Sequence, residues 1–213
     1  MKLVREFLYE YLGFTQAGDP IRDMGIGIET LIVNWLRNQG IKNHNFALSH
    51  TNRINAYDTI VLSGANLNEF PEYIKFNSIR GGFHCNNNNL TSLKGSPVKV
   101  SGSFMCSHNK LQNLIGGPRE VEGAYAASNN DLNSLEGIAL EIGEAIYLND
   151  NNLRSLKYIP NSVGEFYITN NPIETIKYFP TEIWGDLHYT KSKILNKEKI
   201  LSICQVSGDI YEY

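Results

Sequence analysis

"CNNNNLTSL", Cys85 to Leu93, is the stretch that decides the fold. In isolation it is a polar tract. Aligned with the rest of the chain, it is one rung of a repeat. Leu90, Leu111, Leu132 and Leu153 are each 21 residues apart, and Ile173 follows Leu153 by 20. An asparagine stands two residues before each: Asn88, Asn109, Asn130, Asn151 and Asn171. An aliphatic stands three residues after each: Leu93, Leu114, Leu135, Leu156 and Ile176. Ahead of the asparagines come the pairs Phe83/Cys85, Phe104/Cys106, Tyr125/Ala127, Ile146/Leu148 and Phe166/Ile168. Behind the leucines come Pro97, Pro118, Ala139, Pro160 and Pro180, then Val100, Val121, Ile142, Val163 and Ile183. A period near 20 residues is the signature of a solenoid, whose units bury a hydrophobic face only by stacking.

The apolar pairs alternate with one residue between them, so both members fall on one face of a strand. The asparagine marks a turn, where its amide can serve backbone groups that no strand ladder reaches. Stacked over successive units, these side chains are expected to form a ladder. Proline and glycine in "KGSPVKV" and "IGGPREV" favour an extended or polyproline-II return over a helix. The frame continues upstream, degraded, through Ile60, Leu62, Leu67 and Phe70, and downstream through Leu187, Tyr189 and Ile194.

The ends read differently. Leu3, Val4, Phe7, Leu8 and Tyr11 share a helical face, and Asp19-Pro20 looks like a helix start. Ile28, Leu31, Ile32, Trp35 and Leu36 form a second apolar face, closed by Gly40. Residues 45–62 read as strands leading into the first repeat. "KEKILSICQV" is expected to close the far end, and "GDIYEY" to be a tail or an edge strand.

Composition narrows the function classes. The chain has 213 residues, 42% hydrophobic, with a net charge of −3. A general nucleic-acid binder carries a basic excess, and none is visible. No apolar run reaches the ~20 residues that span a bilayer, and Glu6 and Glu10 interrupt what would be a secretion signal. Three cysteines, an odd number with no CxxC, argue against a disulfide framework and point to a reducing cytoplasm.

The pattern resembles the leucine-rich repeat, L-x-L-x-x-N-x-L-x-x-L, in its short bacterial form, over residues 58–195. It is similar to the "F-x-C-S-x-N-x-L-x-S-L" repeats of large-bacteriophage proteins that open with a short helical leader. The resemblance implies an α/β repeat solenoid, right-handed and curved. It implies a parallel concave β-sheet, an extended or polyproline-II convex side and a helical N-terminal cap. The expected organisation is leader 1–57, about seven repeat turns over 58–195, and a C-terminal cap and tail over 196–213. A phage origin is implied by the resemblance; an activity is not.

Between the two inward residues of each strand one side chain points outward. That column reads Val61, His84, Met105, Ala126, Tyr147, Tyr167 and His188. The next reads Ser63, Asn86, Ser107, Ser128, Asn149, Thr169 and Thr190, with Asn87, His108, Asn129, Asp150 and Asn170 at the turn edge. Aromatic and methionine side chains on an exposed sheet are typical of protein-binding surfaces. The expected contacts are His84, Met105, Tyr147, Tyr167, His188 and His108, with Asp150, Asn86 and Asn87 beside them. Asn88, Asn109, Asn130, Asn151 and Asn171 are expected to be structural. No catalytic residue, metal or cofactor is expected. Cys85 and Cys106 share a register with Ala127, Leu148 and Ile168, which makes them core. His84 and His188 lie five units apart, on the order of 24 Å, too far to share a metal.

The function expected is non-enzymatic binding of a protein partner, with no nucleic acid and no membrane. In a phage setting that partner is a host or host-defence protein in the cytoplasm. The alternatives are a virion or self-associating scaffold, and a small-ligand-sequestering protein or enzyme using the tyrosine–histidine stripe.

Overall fold

The computed structural model describes residues 27–213. The expected helical face from Leu3 to Tyr11 and the helix start at Asp19-Pro20 lie outside the described residues. Strands are numbered in chain order. Every turn places a short strand in a front sheet: β3 (Ile60–Val61), β5 (Phe83–His84), β7 (Phe104–Met105), β9 (Tyr125–Ala126), β11 (Ile146–Tyr147), β13 (Phe166–Tyr167), β15 (Leu187–Tyr189) and β17 (Ile210–Glu212). All neighbours in this eight-stranded sheet are parallel and in register, so Phe83 faces Phe104 and Tyr147 faces Tyr167.

The expected solenoid is present as a parallel-strand β-solenoid, and among the described residues only α1 (Ile28–Asn38) and α2 (Lys197–Leu201) are α-helical. The units are too short to hold a strand, two turns and a helix. The back is extended, as the sequence suggests. It carries a second ladder of β1 (Phe46–Leu48), β2 (Ile54–Ala56), β4 (Phe76–Ile79), β6 (Lys99–Val100), β8 (Glu120–Val121) and β10 (Glu141–Ile142). The prolines sit before these strands, where the missing N–H costs the ladder nothing. Arg119 N–H then donates to Val98 O at 2.9 Å and Glu122 N–H to Val100 O at 3.0 Å.

The core lies between the two ladders. Phe83, Phe104, Tyr125, Ile146, Phe166 and Leu187 form one fully buried column, and Phe83 stacks on Phe104 at 5.8 Å. Each such ring contributes roughly 1.5–3 kcal/mol by leaving water. The leucines after the asparagines line the other side of the core, and α1 buries Ile32 and Leu36 in the same cluster. A tight turn follows each Leu93, Leu114 and Leu135. Its left-handed position is filled by Gly95, Gly116 and Gly137, with φ between 90° and 101°. The next unit puts Tyr158 there at φ 80°, with Lys157 Nζ 4.8 Å from its ring centroid.

Front and back differ in continuity. The back ladder stops at β10 and restarts as a separate sheet of β12 (Ser162–Val163), β14 (Glu182–Ile183) and β16 (Gln205–Val206). The break falls where the unit shortens. Three residues, Gly143 to Ala145, carry the chain from Ile142 to Ile146, but only Gly164 and Glu165 join Val163 to Phe166. A corner one residue short holds the front register, where large side chains interdigitate, and gives up the back one. A Cβ on Gly164 would lie 1.9 Å from Glu144 O, so this corner is packed backbone against backbone.

At the far end both ladders continue beyond residue 195. β16 pairs with β14, and the segment "GDIYEY" supplies β17, an edge strand of the front sheet. α2 precedes β16 in the chain, its Asn196 side chain accepting from Lys199 N–H.

Candidate functional site

The asparagine column explains why the front turns stack. Asn109 Nδ2 donates to Cys85 O and Cys106 O, both at 3.0 Å, and its Oδ1 accepts from Leu90 N–H at 2.9 Å. Asn130 repeats this with Cys106 O, Ala127 O and Leu111 N–H. Asn88, Asn151 and Asn171 do the same one turn along each time. Each amide therefore bonds its own turn and the turn before. Aspartate has the shape but not the donor. Asn88, Asn109, Asn130 and Asn151 are buried; Asn171 is half-buried.

The turn-edge column has a backbone reason of its own. Asn87, His108, Asn129, Asp150 and Asn170 all adopt φ of 55–56°. Asparagine, aspartate and histidine are the side chains most often found in that left-handed region. Three residues expected as contacts, Asn87, His108 and Asp150, thus stand where the backbone conformation already favours their residue types. Asn86, in the neighbouring column, accepts from Ser63 Oγ at 2.7 Å.

The outward column varies along the axis. Val61 is exposed; His84, Met105, Ala126, Tyr147, Tyr167 and His188 are half-buried in a row across the front sheet. In the second half the rings close up. Tyr147 stacks on Tyr167 at 4.5 Å, Tyr167 on His188 at 4.2 Å and His188 on Tyr211 at 4.4 Å. These intervals are close to the spacing of the strands beneath, ~4.8 Å. Tyr213 extends the group, its hydroxyl 3.1 Å from His188 Nδ1. Tyr211 and Tyr213 were not among the expected contacts. The signal was present, since "GDIYE" at 208–212 parallels "GDLHY" at 185–189.

An acidic column runs beside the rings and was also missed. Glu165, Asp186 and Asp209 share one register through the pairs Phe166–Leu187 and Leu187–Ile210. Tyr167 OH donates to Glu165 at 3.0 Å. Burial, then that hydrogen bond, pushes the Tyr167 hydroxyl up to about 12. Burial, then the Glu165 and Glu144 carboxylates, raises Tyr147. The Asp209 and Asp186 charges do the same to Tyr211. The hydroxyls therefore remain protonated donors at neutral pH.

The other candidate chemistry is inert by environment. Cys85 and Cys106 are fully buried free thiols, and burial pushes Cys85 up to about 12. Cys204 is pushed up to about 11 by burial, then by the Glu182 charge. Among the described residues no three His, Cys, Asp or Glu side chains gather as a metal site. No helix among them is long and apolar enough to cross a membrane.

A second surface feature lies on the back, at the break in the ladder. A groove of about 500 Å³ is lined by Val121, Leu140, Ile142, Val163 and Trp184, with Lys99, Glu120 and Glu122 on its rim. Leu140 is 77% exposed and Trp184 68%. Lys99 bridges both rim glutamates, at 3.0 and 3.2 Å.

The chain matches no protein-family model, no curated protein and no solved structure.

Proposed function

We propose that this chain is a non-catalytic binding protein of the leucine-rich-repeat type, in which α1 caps one end and the front sheet face engages a protein partner. The observation that carries the reading is the exposed stack Tyr147–Tyr167–His188–Tyr211 on a ladder-fixed sheet. Side chains held in columns at strand spacing lose little freedom on binding, so apolar contact converts efficiently into affinity. Tyrosine in such a position supplies large contact area and a donor at its tip. The resemblance to large-bacteriophage repeat proteins extends the proposal to a phage accessory protein that binds and modulates a host or host-defence protein in the cytoplasm.

The test is quantitative affinity capture from host lysate, wild type against Tyr147→Ala/Tyr167→Ala, with circular dichroism to show that both are folded. A partner retained by wild type and lost by the double variant supports the reading. Equal capture by both overturns it.

One observation favours a second reading, a self-associating scaffold. Among the described residues β17 pairs with β15 alone, which leaves its other edge without a strand partner among them. Sedimentation showing mass that grows with concentration, and reverts on Tyr211→Pro, would select it.

A further inference from the structure

The ring stack ends abruptly. Its next place belongs to Ala126, paired with Tyr147 on one side and Met105 on the other. Two strand intervals, roughly 9.6 Å, separate the Tyr147 and Met105 positions, and only a methyl group stands between them. The ring of Tyr147 has a stacking neighbour on its Tyr167 side. Toward Ala126 no ring is paired with it among the described residues. The space is one planar group thick.

Charge selects the group. None of the three columns around this space contains a lysine or arginine: Gly82, Ser103, Ala124, Ala145 and the acids Glu165, Asp186 and Asp209 precede the outward residues, and the small polar Ser, Asn and Thr column follows them. The Glu144 carboxylate makes no hydrogen bond or ion pair among the described residues, and with Glu165 it acts electrostatically on the Tyr147 hydroxyl. A planar cation satisfies both features, because a guanidinium stacks on an aromatic face and pairs with a carboxylate in its own plane. An ammonium is not planar and is more strongly hydrated.

We propose that the space over Ala126 receives an arginine side chain of the partner protein, its guanidinium stacked on the open face of Tyr147 and paired with Glu144. This rests on the reading of the front sheet as the binding face, and it names the chemistry that the face selects.

The probe is an acetylated, amidated Gly-Arg-Gly peptide, with Gly-Lys-Gly as its match, titrated while the Ala126 and Met105 methyl resonances are followed by NMR. The arginine peptide shifts both methyls and binds about two- to fivefold tighter than the lysine peptide. Ala126→Tyr, which continues the stack into the space, and Ala126→Leu, which fills it without a ring, both abolish the shift of Met105, the reporter these variants keep. Glu144→Gln weakens both shifts. Equal binding of the lysine peptide, a Met105 shift that survives Ala126→Tyr, or tighter binding of a short single-stranded oligonucleotide would each overturn the proposal. A captured partner separates the two readings. If it is lost on Tyr147→Ala/Tyr167→Ala and kept on Ala126→Tyr, the face binds but the arginine site falls. If it ignores the double variant, the face reading falls, and the peptide titration still decides the site.

Discussion

Two columns of the same front turns behave in opposite ways. Asn88, Asn109, Asn130, Asn151 and Asn171 do not vary, are buried save the half-buried Asn171, and bond adjacent turns. Val61, His84, Met105, Ala126, Tyr147, Tyr167, His188 and Tyr211 stand on the opposite side of the strand, and change from unit to unit. A position held constant along a solenoid is accounted for by the contact each unit makes with the next. A position that varies on an exposed sheet is under no such constraint, and there the side chains are free to match something outside the molecule.

The sharpest way to test that division is to damage each column and read both stability and binding. Phe104→Ala empties a fully buried site between Phe83 and Tyr125. It is expected to cost about 3–5 kcal/mol in urea denaturation; a loss under about 1 kcal/mol would mean the column is not close-packed. Asn130→Ala orphans Leu111 N–H and removes one of the two asparagine donors from each of Cys106 O and Ala127 O. Its expected cost is about 2–4 kcal/mol, and Asn171→Ala, at a half-buried site, is expected to cost less. If the two cost the same, burial does not set the strength of the ladder.

Tyr147→Ala/Tyr167→Ala should behave the other way, losing the partner while the unfolding free energy in urea falls by only about 1–2 kcal/mol of stacking. Tyr125→Phe probes an exception within the constant region. Its hydroxyl is buried without a hydrogen-bond partner among the described residues, so removing it is expected to leave stability unchanged or raise it by about 1 kcal/mol. A clear loss would show that the hydroxyl is satisfied in solution.

The smallest effect belongs to the last strand. Glu212 is held below its ordinary carboxylate value, first by the hydrogen bond from Lys191 at 2.6 Å and then by that from Tyr189 OH. A depressed folded value means that the contribution is present above the unfolded carboxylate pKa and is lost as pH falls through the folded one. The exchange protection factor of the Tyr213 amide, whose N–H donates to Tyr189 O at 3.0 Å, should therefore fall in acid before those of the inner strands. A uniform fall across the front sheet would contradict this.

The inward registers were legible because each carries a repeated residue type at a fixed step, and burial allows few substitutes. The back ladder was not, since two-residue strands beside proline leave no alternation to count. The edge strand in "GDIYEY" was offered by the sequence, but its place in the front register was hidden by the insertion of α2, which lengthens the step from Leu187 to Ile210 to 23 residues. The outward column was readable as a series of residues, but not as a stack. Ring contact depends on rotamers, and on Tyr211, which lies beyond the regular period. For Asn87, His108 and Asp150, exposure alone suggested contact, while their left-handed backbone supplies a conformational reason.

The molecule also presents two surfaces that differ in kind: the ring stack on the continuous front sheet, and the Leu140–Trp184 groove at the break in the back ladder. The most direct measurement is the affinity of one captured partner for Tyr147→Ala/Tyr167→Ala and for Leu140→Ala/Trp184→Ala, side by side by calorimetry. The front variant is expected to lose at least about tenfold, the equivalent of about 1.4 kcal/mol, with the back variant unchanged. Loss confined to the back variant would contradict the assignment of the front sheet as the binding face.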